Sequence, residues 1–172
     1  EVNAKLSEQN ASLQSASIKS FTKIFGKTIQ INDTAYFQNY VYASAKIINN
    51  STNKKNNYIT LDKGAINHIK SGMAVVSSEG VVGKVVNVSE NFSSVMSVLH
   101  SKNKINGKIK KSGYFGPVLW NSGSNDYRIG RLNDIPSHVQ LTIGDTIVTS
   151  GYSDDFPEGV LIGTIKAFKL VE

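Results

Sequence analysis

The chain has 172 residues and a formal net charge of +6, from nineteen Lys and Arg against thirteen Asp and Glu. Hydrophobic residues make up 40% and charged residues 19%, which is the composition of an ordinary globular protein. Cysteine is absent, which excludes disulfides, thiol catalysis and most structural zinc sites. No apolar run approaches the roughly 18 residues of a membrane helix. Because the chain begins with Glu1 and has no signal-peptide pattern, we expect a fragment or processed form, and any membrane anchor would lie upstream of it.

The positive charge is carried almost entirely by lysine, since the only arginines are Arg128 and Arg131. Proteins that read nucleic-acid sequence usually rely on arginine, whose planar fork matches guanine and phosphate. A lysine-dominated excess instead indicates a solvated surface, or attraction to anionic polymers and lipid headgroups. The leading expectation is therefore that nucleic acid is not a partner. A basic β-barrel that binds nucleic acid is kept as the alternative function.

The first segment, residues 1–20, has the spacing of a helix. Val2, Leu6 and Leu13 recur on one side, and the two leucines are one heptad apart. The pattern predicts the tail of a coiled coil that dimerises through these three residues. A frayed surface helix is the other interpretation.

Periodicity fades over residues 21–39, which we predict to be a linker. The aromatic residues Phe37, Tyr40 and Tyr42 stand where this linker enters the following domain. Aromatic side chains contribute much of the energy of protein interfaces, so these three form a candidate partner surface. Core packing explains at least some of them equally well.

From residue 40 onward, short strands dominate and are separated by Gly- and Asn-rich turns. A short helical or irregular segment is expected at 65–70. The many short strands indicate a barrel or sandwich. The predicted strands are 41–48, 58–61, 73–76, 81–88, 94–99, 105–109, 114–120, 127–129, 146–149 and 160–168.

One strand–turn–strand pattern occurs twice in this region. Its leading glycines, Gly72 and Gly144, are 144 − 72 = 72 positions apart, and each precedes a short apolar strand ending in Ser-Ser or Thr-Ser. A second glycine, Gly80 or Gly159, is expected to adopt a positive φ, and the glycine in the return strand permits a bulge or a close backbone approach. Tyr58 to Thr60 is echoed upstream of the second copy by 127–129.

The duplication predicts two small β-barrel domains at 40–103 and 104–172. After its return strand the first copy continues into the strand 94–99, whereas the second copy has only a few residues more. We therefore expect the second domain to lack its last strand. We also expect the unpaired edge to be filled by another segment or another chain.

The glycine pattern resembles that of the rod shape-determining MreC family. The first copy carries NYITLDKG at 57–64, IKSGMAVV at 69–76 and GVVGKV at 80–85. The second carries GDTIVTSG at 144–151 followed by FPEG at 156–159, and GPVLW at 116–120 also fits. The similarity covers roughly residues 43–168.

The resemblance implies an all-β fold of two six-stranded-type barrels, paired as in chymotrypsin-like proteases but without catalysis, after a coiled-coil helix. It implies a periplasmic or extracytoplasmic scaffold, anchored in the cytoplasmic membrane by an upstream helix, that maintains rod shape and organises side-wall peptidoglycan synthesis. The implied partners are a second copy of the chain as homodimer or filament, the elongation-class penicillin-binding protein, MreD, and MreB through a cytoplasmic end.

The residues themselves indicate no catalytic centre. A serine protease of this fold needs a Ser–His–Asp triad, and no serine stands in a Gly-Asp-Ser-Gly context. No two of His68, His100 and His138 have the spacing of metal ligands. The acidic cluster of Asp154, Asp155 and Glu158 fits a solvated turn better than a cation site. We therefore expect no enzyme activity, cofactor or metal.

Five lysines occur together at positions 102, 104, 108, 110 and 111. They alternate along a predicted strand, so one face of that strand is basic. The pattern favours a solvated sheet edge protected by lysine. Anionic wall polymer or lipid headgroups are the other partners that this face fits.

Overall fold

A computed structural model describes residues 2–16, 21–23, 36–38, 40–120, 126–153 and 155–169, with the backbone alone described for 21–23 and 36–38. The chain divides into two compact units, Glu1–Ala45 and Lys46–Glu172.

The first unit contains helix α1 (Val2–Ser15) and two short antiparallel strands, β1 (Phe21–Lys23) and β2 (Tyr36–Gln38). The Ser15 hydroxyl donates to the Ala11 carbonyl at 2.9 Å, one turn earlier in the helix. No described residue of α1 is buried. The segment predicted to be a linker therefore contains strand pairing.

The second unit begins with a five-stranded antiparallel sheet, called sheet 1. Its spatial order is β3-β4-β7-β6-β5, and a 3-10 helix at Ala65–Asn67 follows β4 as expected. The strands are β3 (Ile47–Asn50), β4 (Tyr58–Leu61), β5 (Ala74–Ser77), β6 (Gly80–Val88) and β7 (Ser93–Ser97).

The predicted strand at 41–48 is wrong except at Ile47 and Ile48, where β3 begins. Its ladder partner β4 extends only to Leu61, which lies opposite Ile47, so earlier residues have no strand to pair with. The Asp62 carboxylate accepts the Lys46 backbone N–H at 2.7 Å just before the ladder begins. Pairing continues instead into Asn49 and Asn50, beyond the predicted end of the strand.

A second five-stranded antiparallel sheet, sheet 2, has the order β10-β9-β8-β11-β12. Its strands are β8 (Lys104–Ile109), β9 (Phe115–Trp120), β10 (Gly130–Leu132), β11 (Thr146–Thr149) and β12 (Leu161–Thr164). The β12 strand ends well before residue 168, the predicted end.

The predicted strand at 127–129 is also wrong, and so is its proposed equivalence to Tyr58–Thr60. The Asp126 carboxylate accepts the Arg128 backbone N–H at 3.0 Å and also binds its guanidinium. This local side-chain bond forms a turn that competes with strand pairing. The ladder with β9 begins only at Gly130, opposite Trp120.

Each sheet buries one face in its own apolar cluster. Sheet 1 contributes Ile59, Leu61, Val85 and Val95. Sheet 2 contributes Ile109, Val118 and Ile147, and Val139 joins them from the loop between β10 and β11. Buried residues alternate with more exposed ones along β4, β7, β8 and β9, as a sheet with one solvated face requires, whereas β11 is buried from Ile147 to Thr149.

The internal repeat is confirmed by matching backbone geometry. Gly72 and Gly144 have φ values of 94° and 93°. Their N–H groups donate to the carbonyls of Val85 and Ile165, each at 2.8 Å. A left-handed backbone is most easily adopted by glycine, so both copies need glycine for the same reason.

The turn and bulge of the repeat match as well. Gly80 and Gly159 both have positive φ, at 135° and 85°. The register of the β5–β6 hairpin shifts between Val75 and Val76, and that of β11–β12 shifts 72 residues later, between Ile147 and Val148. The two hairpins thus share a bulge at the same place.

The hairpins differ in how they join their sheets. In sheet 1 the return strand β6 pairs with β7, whereas in sheet 2 the first strand β11 pairs with β8. In the described residues, β12 is therefore an edge strand, and its outer side faces no further strand.

The mostly β class is confirmed, with two larger sheets and one N-terminal helix. Within the described residues each sheet has five strands, not six, in a linear order. The chymotrypsin-like pairing of barrels, the coiled coil and the predicted domain boundaries stay predictions. The interpretation of the lysine run as an edge device is wrong, because β8 pairs with β9 on one side and β11 on the other.

Candidate interaction surfaces

The histidines occupy structural positions. The His100 ring is buried, and its Nδ1 accepts the Lys102 backbone N–H at 3.0 Å. A neutral ring with this bond carries its proton on Nε2, which lies 3.2 Å from the Tyr58 hydroxyl. His138 Nε2 lies 3.0 Å from the hydroxyl of Tyr114, and His68 has a left-handed backbone at the end of the 3-10 helix.

Within the part of the chain that the structure describes, no group of three or more His, Asp or Glu is arranged to hold a metal ion. In the same residues, no helix has the length and apolarity needed to span a membrane.

A buried polar cluster holds the connection between the sheets, residues 98–103. Asn57 Nδ2 donates to the Leu99 carbonyl at 3.0 Å, and Asn103 Nδ2 donates to the Ser97 carbonyl at 3.0 Å. His100 belongs to the same cluster. Burial lowers the pKa of its imidazole, and the charge of Lys102 lowers it further.

A second set of contacts joins the sheets directly. Lys84 of β6 forms an ion pair with Asp155, which lies in the loop between β11 and β12. At Gly80 an added Cβ would overlap the backbone carbonyl oxygen of Leu161 in β12. The two sheets therefore approach each other closely along β6 and β12.

An exposed aromatic pair stands on the solvated face of sheet 2. The rings of Phe115 and Tyr152 have centroids 4.6 Å apart and are tilted by 40°. They are 51% and 72% exposed. Lys108 lies directly across from Phe115 and forms an ion pair with Glu158. Stacked, exposed aromatics beside a charged pair are typical of the centre of a protein interface.

The pairing of Phe115 with Tyr152 was not predicted from the sequence. Alternation along β9 was a usable signal, since Gly116, Val118 and Trp120 point to one side and Phe115 therefore to the other. Nothing local, however, connects Phe115 to Tyr152, which is 37 residues away (152 − 115).

The predicted dimerisation residues are exposed. Val2, Leu6 and Leu13 are 71%, 52% and 70% accessible. An apolar helix side without an intramolecular partner is what a dimerisation seam requires. Their role stays a prediction.

The predicted partner surface is only partly exposed. Tyr40 and Tyr42 are half-buried, and the Tyr42 backbone N–H donates to the Ser15 hydroxyl at 2.8 Å. Burial raises the pKa of the Tyr42 phenol, and Tyr40 raises it further. Phe37 lies in β2, and its side chain is outside the described residues. Partner binding by these residues stays a prediction.

The family model and the relatives that this chain matches are all named MreC. The family model described as "Rod shape-determining protein MreC, barrel core" matches residues 47–172. The Listeria monocytogenes cell shape-determining protein MreC is 29% identical over 164 residues, and the Escherichia coli protein of that name is 26% identical over 125 residues. The matches cover 92% and 73% of this chain but only 54% and 33% of those proteins.

Solved structures share the fold. An MreC structure from Listeria monocytogenes matches with a TM-score of 0.64 and 24% identity, over 95% of this chain and 71% of that one. The Pseudomonas aeruginosa MreC crystal structure matches with a TM-score of 0.63 and 21% identity, over 72% and 77%.

The buried imidazole predicts acid sensitivity. The folded-state pKa of His100 is depressed below its ordinary value of about 6.5. The neutral imidazole therefore stabilises the fold fully above about pH 6.5. The effect is lost as the pH falls through the folded-state pKa. We expect the urea midpoint to fall between pH 7.5 and 5 more steeply in the native chain than in His100→Gln, which cannot bind the proton.

The exposed His138→Gln serves as the control and should follow the native pH profile. Equal acid sensitivity of the native chain and His100→Gln would show that this imidazole does not carry the effect.

Proposed function

The chain belongs to the MreC family of rod shape-determining proteins, and we propose that it is a non-catalytic extracytoplasmic scaffold of the machinery that elongates the side wall. In this proposal it organises peptidoglycan synthesis by holding partners at fixed positions. The family model covers both sheets, and the relatives are named as cell shape-determining proteins. An upstream helix would anchor the protein in the cytoplasmic membrane.

The observation that carries the scaffold proposal is the aromatic pair of Phe115 and Tyr152 on a compact two-sheet unit. A scaffold needs a docking surface that is already formed before the partner arrives, because ordering side chains on binding weakens affinity. Stacking between the rings and the ion pair of Lys108 with Glu158 restrict the side chains of this patch. The patch is therefore preorganised for a protein partner.

We assign the elongation-class penicillin-binding protein to this patch. Its docking face should offer an apolar cleft for the two rings, with polar groups at the rim for Lys108 and Glu158. MreD and MreB would be contacted through parts of the protein other than the two sheets. Tyr40, Tyr42 and Phe37 would provide a further contact on the first unit.

The helix supplies the second element of the proposal, a homodimer that can extend into filaments. Val2, Leu6 and Leu13 expose one apolar side that a second copy would cover. Pairing through the helix would present two copies of each docking surface, so a partner with two contact points would gain avidity.

Removal of the aromatic pair tests the docking surface. Two lost aromatic anchors remove about 2 kcal/mol or more of binding free energy, so Phe115→Ala/Tyr152→Ala should bind the purified penicillin-binding protein at least about 30-fold more weakly. Isothermal titration calorimetry provides the measurement. The matched control, Phe92→Ala/Tyr127→Ala, removes two aromatics that are also exposed and should change affinity by less than about threefold.

Thermal melts of both double variants identify any loss that comes from unfolding. Equal affinity of the Phe115/Tyr152 variant and the native chain would refute the assignment of the patch while leaving the family membership unaffected.

Sedimentation equilibrium tests the dimer. Asp at both leucine positions places unpaired charges in an apolar seam, so Leu6→Asp/Leu13→Asp should be monomeric at concentrations where the native chain is dimeric. Ser7→Asp/Ser12→Asp adds the same charge to exposed positions of the same helix and should retain the dimer. An unchanged monomer fraction in the leucine variant would exclude the seam.

A further inference from the structure

The middle of the second unit's chain is basic and carries no compensating acid. Between Glu90 and Asp126 there are five lysines and neither Asp nor Glu. This stretch supplies β7, β8 and β9, so three consecutive strands lack any carboxylate. A surface built from these strands has a positive potential unless acids from elsewhere neutralise it.

Strand alternation places the lysines of β8 on the solvated face. Lys104 is exposed and Ile105 is buried, and the alternation continues to the buried Ile109 and the exposed Lys110. At about 3.4 Å per residue, the cations from position 104 to position 110 extend along roughly 20 Å of the sheet.

The ladder register adds a third strand to this face. Lys104 lies opposite Leu119, and Arg131 of β10 lies opposite Leu119 on its other side. Lys104 and Arg131 therefore point to the same face, about 10 Å apart across two strand spacings. We call Lys104, Lys110 and Arg131, together with the adjacent exposed Lys102 and Lys111, the basic face.

Ion pairs neutralise little of this charge. Glu158 pairs with Lys108, which lies between the two ends of the basic face. Among the described residues, no carboxylate forms an ion pair with a member of the basic face. Like charges on one face repel each other and destabilise the sheet in the absence of a counterion.

Protection of a sheet edge does not account for these lysines. Edge strands use lysine to block pairing with other chains, but β8 is the central strand of sheet 2 and pairs on both sides. A ligand that supplies the missing negative charge does account for them.

We propose that the basic face binds a linear polymer that carries phosphate groups along its chain. Lys102, Lys104 and Lys110 lie before, within and after β8, so a chain lying along this strand meets them in succession and releases its own counterions as it binds. The exposed Phe115 and Tyr152 lie on the same face beside Lys108. A row of cations fits the repeated charges of an extended chain, and a titration with phosphatidylglycerol vesicles separates that ligand from a bilayer.

Long-chain inorganic polyphosphate is the probe for this proposal, titrated into the full chain over a range of salt concentrations. The native chain should bind with an affinity that falls steeply with salt. Lys104→Gln/Arg131→Gln should bind about tenfold more weakly, and its log–log salt slope should be shallower by roughly one for each lost phosphate contact. Lys110→Gln/Lys111→Gln, in the turn after β8, should weaken binding in the same direction.

The matched control is Lys55→Gln/Lys70→Gln, which removes the same charge from exposed positions of the first-sheet region. Its affinity should stay within about twofold of native, since it loses long-range attraction but no phosphate contact. Circular dichroism melts of every variant confirm folding.

Equal weakening by the control and basic-face variants would overturn the proposal, because net charge alone would then explain binding. Absence of polyphosphate binding to the native chain would overturn it too. A third result would also overturn it: the native chain binds phosphatidylglycerol vesicles, and the Lys104/Arg131 variant loses vesicle binding but still binds polyphosphate. The face would then recognise a lipid surface.

Discussion

The close approach of Gly80 to the Leu161 carbonyl is the constraint on which the two-sheet unit depends. Gly80 has a φ of 135°, which side chains disfavour, and an added Cβ there would overlap backbone and not a movable side chain. The ion pair of Lys84 with Asp155 lies along the same β6 strand. A turn that only glycine can form thus brings the two sheets into contact.

The surfaces used in the functional proposals lie on one of the two sheets that this contact joins. The aromatic pair and the basic face both lie on sheet 2, and the cluster around His100 fixes the chain segment that leads into it from sheet 1. Phe115, Lys104 and Arg131 of these surfaces lie on strands, which hold side chains more rigidly than loops do. A protein that positions partners without performing chemistry needs this rigidity more than it needs a cleft.

The duplicated hairpin shows how one local unit can be used in two ways. Its leading glycines, bulge and closing hydrogen bonds are equivalent in both copies. Its connection to the sheet differs, because β6 pairs with β7 but β11 pairs with β8. Local sequence sets the hairpin, and long-range pairing sets which of its strands lies inside the sheet.

The difference between local signals and long-range pairing explains which features the sequence could predict. The mostly β class and the repeat were predictable because glycine at positive φ and apolar alternation are local signals. The strand at 41–48 was not, because its limits depend on how far β4 extends. The turn at 127–129 depends on a carboxylate of Asp126 that binds its own neighbour.

Surface features required still more distant information. The lysines of β8 were recognised as one basic face, but their place in a central strand follows only from pairing on both sides. The contact of Phe115 with Tyr152 depends on the loop after β11. Neither the strand order nor that loop leaves a periodic pattern in the sequence.

Native-state hydrogen exchange of Gly80→Ala tests most directly whether the two sheets act as one body. The probes are the buried amides of Val95 in sheet 1 and Ile109 in sheet 2, and Gly72→Ala is the control, since Gly72 also has a positive φ but open space around it. The account predicts that both amides open with one common free energy in the native chain and in Gly72→Ala. In Gly80→Ala, sheet 1 and sheet 2 should open with different free energies. Separate opening of the sheets in the native chain, or unchanged common opening in Gly80→Ala, would contradict it.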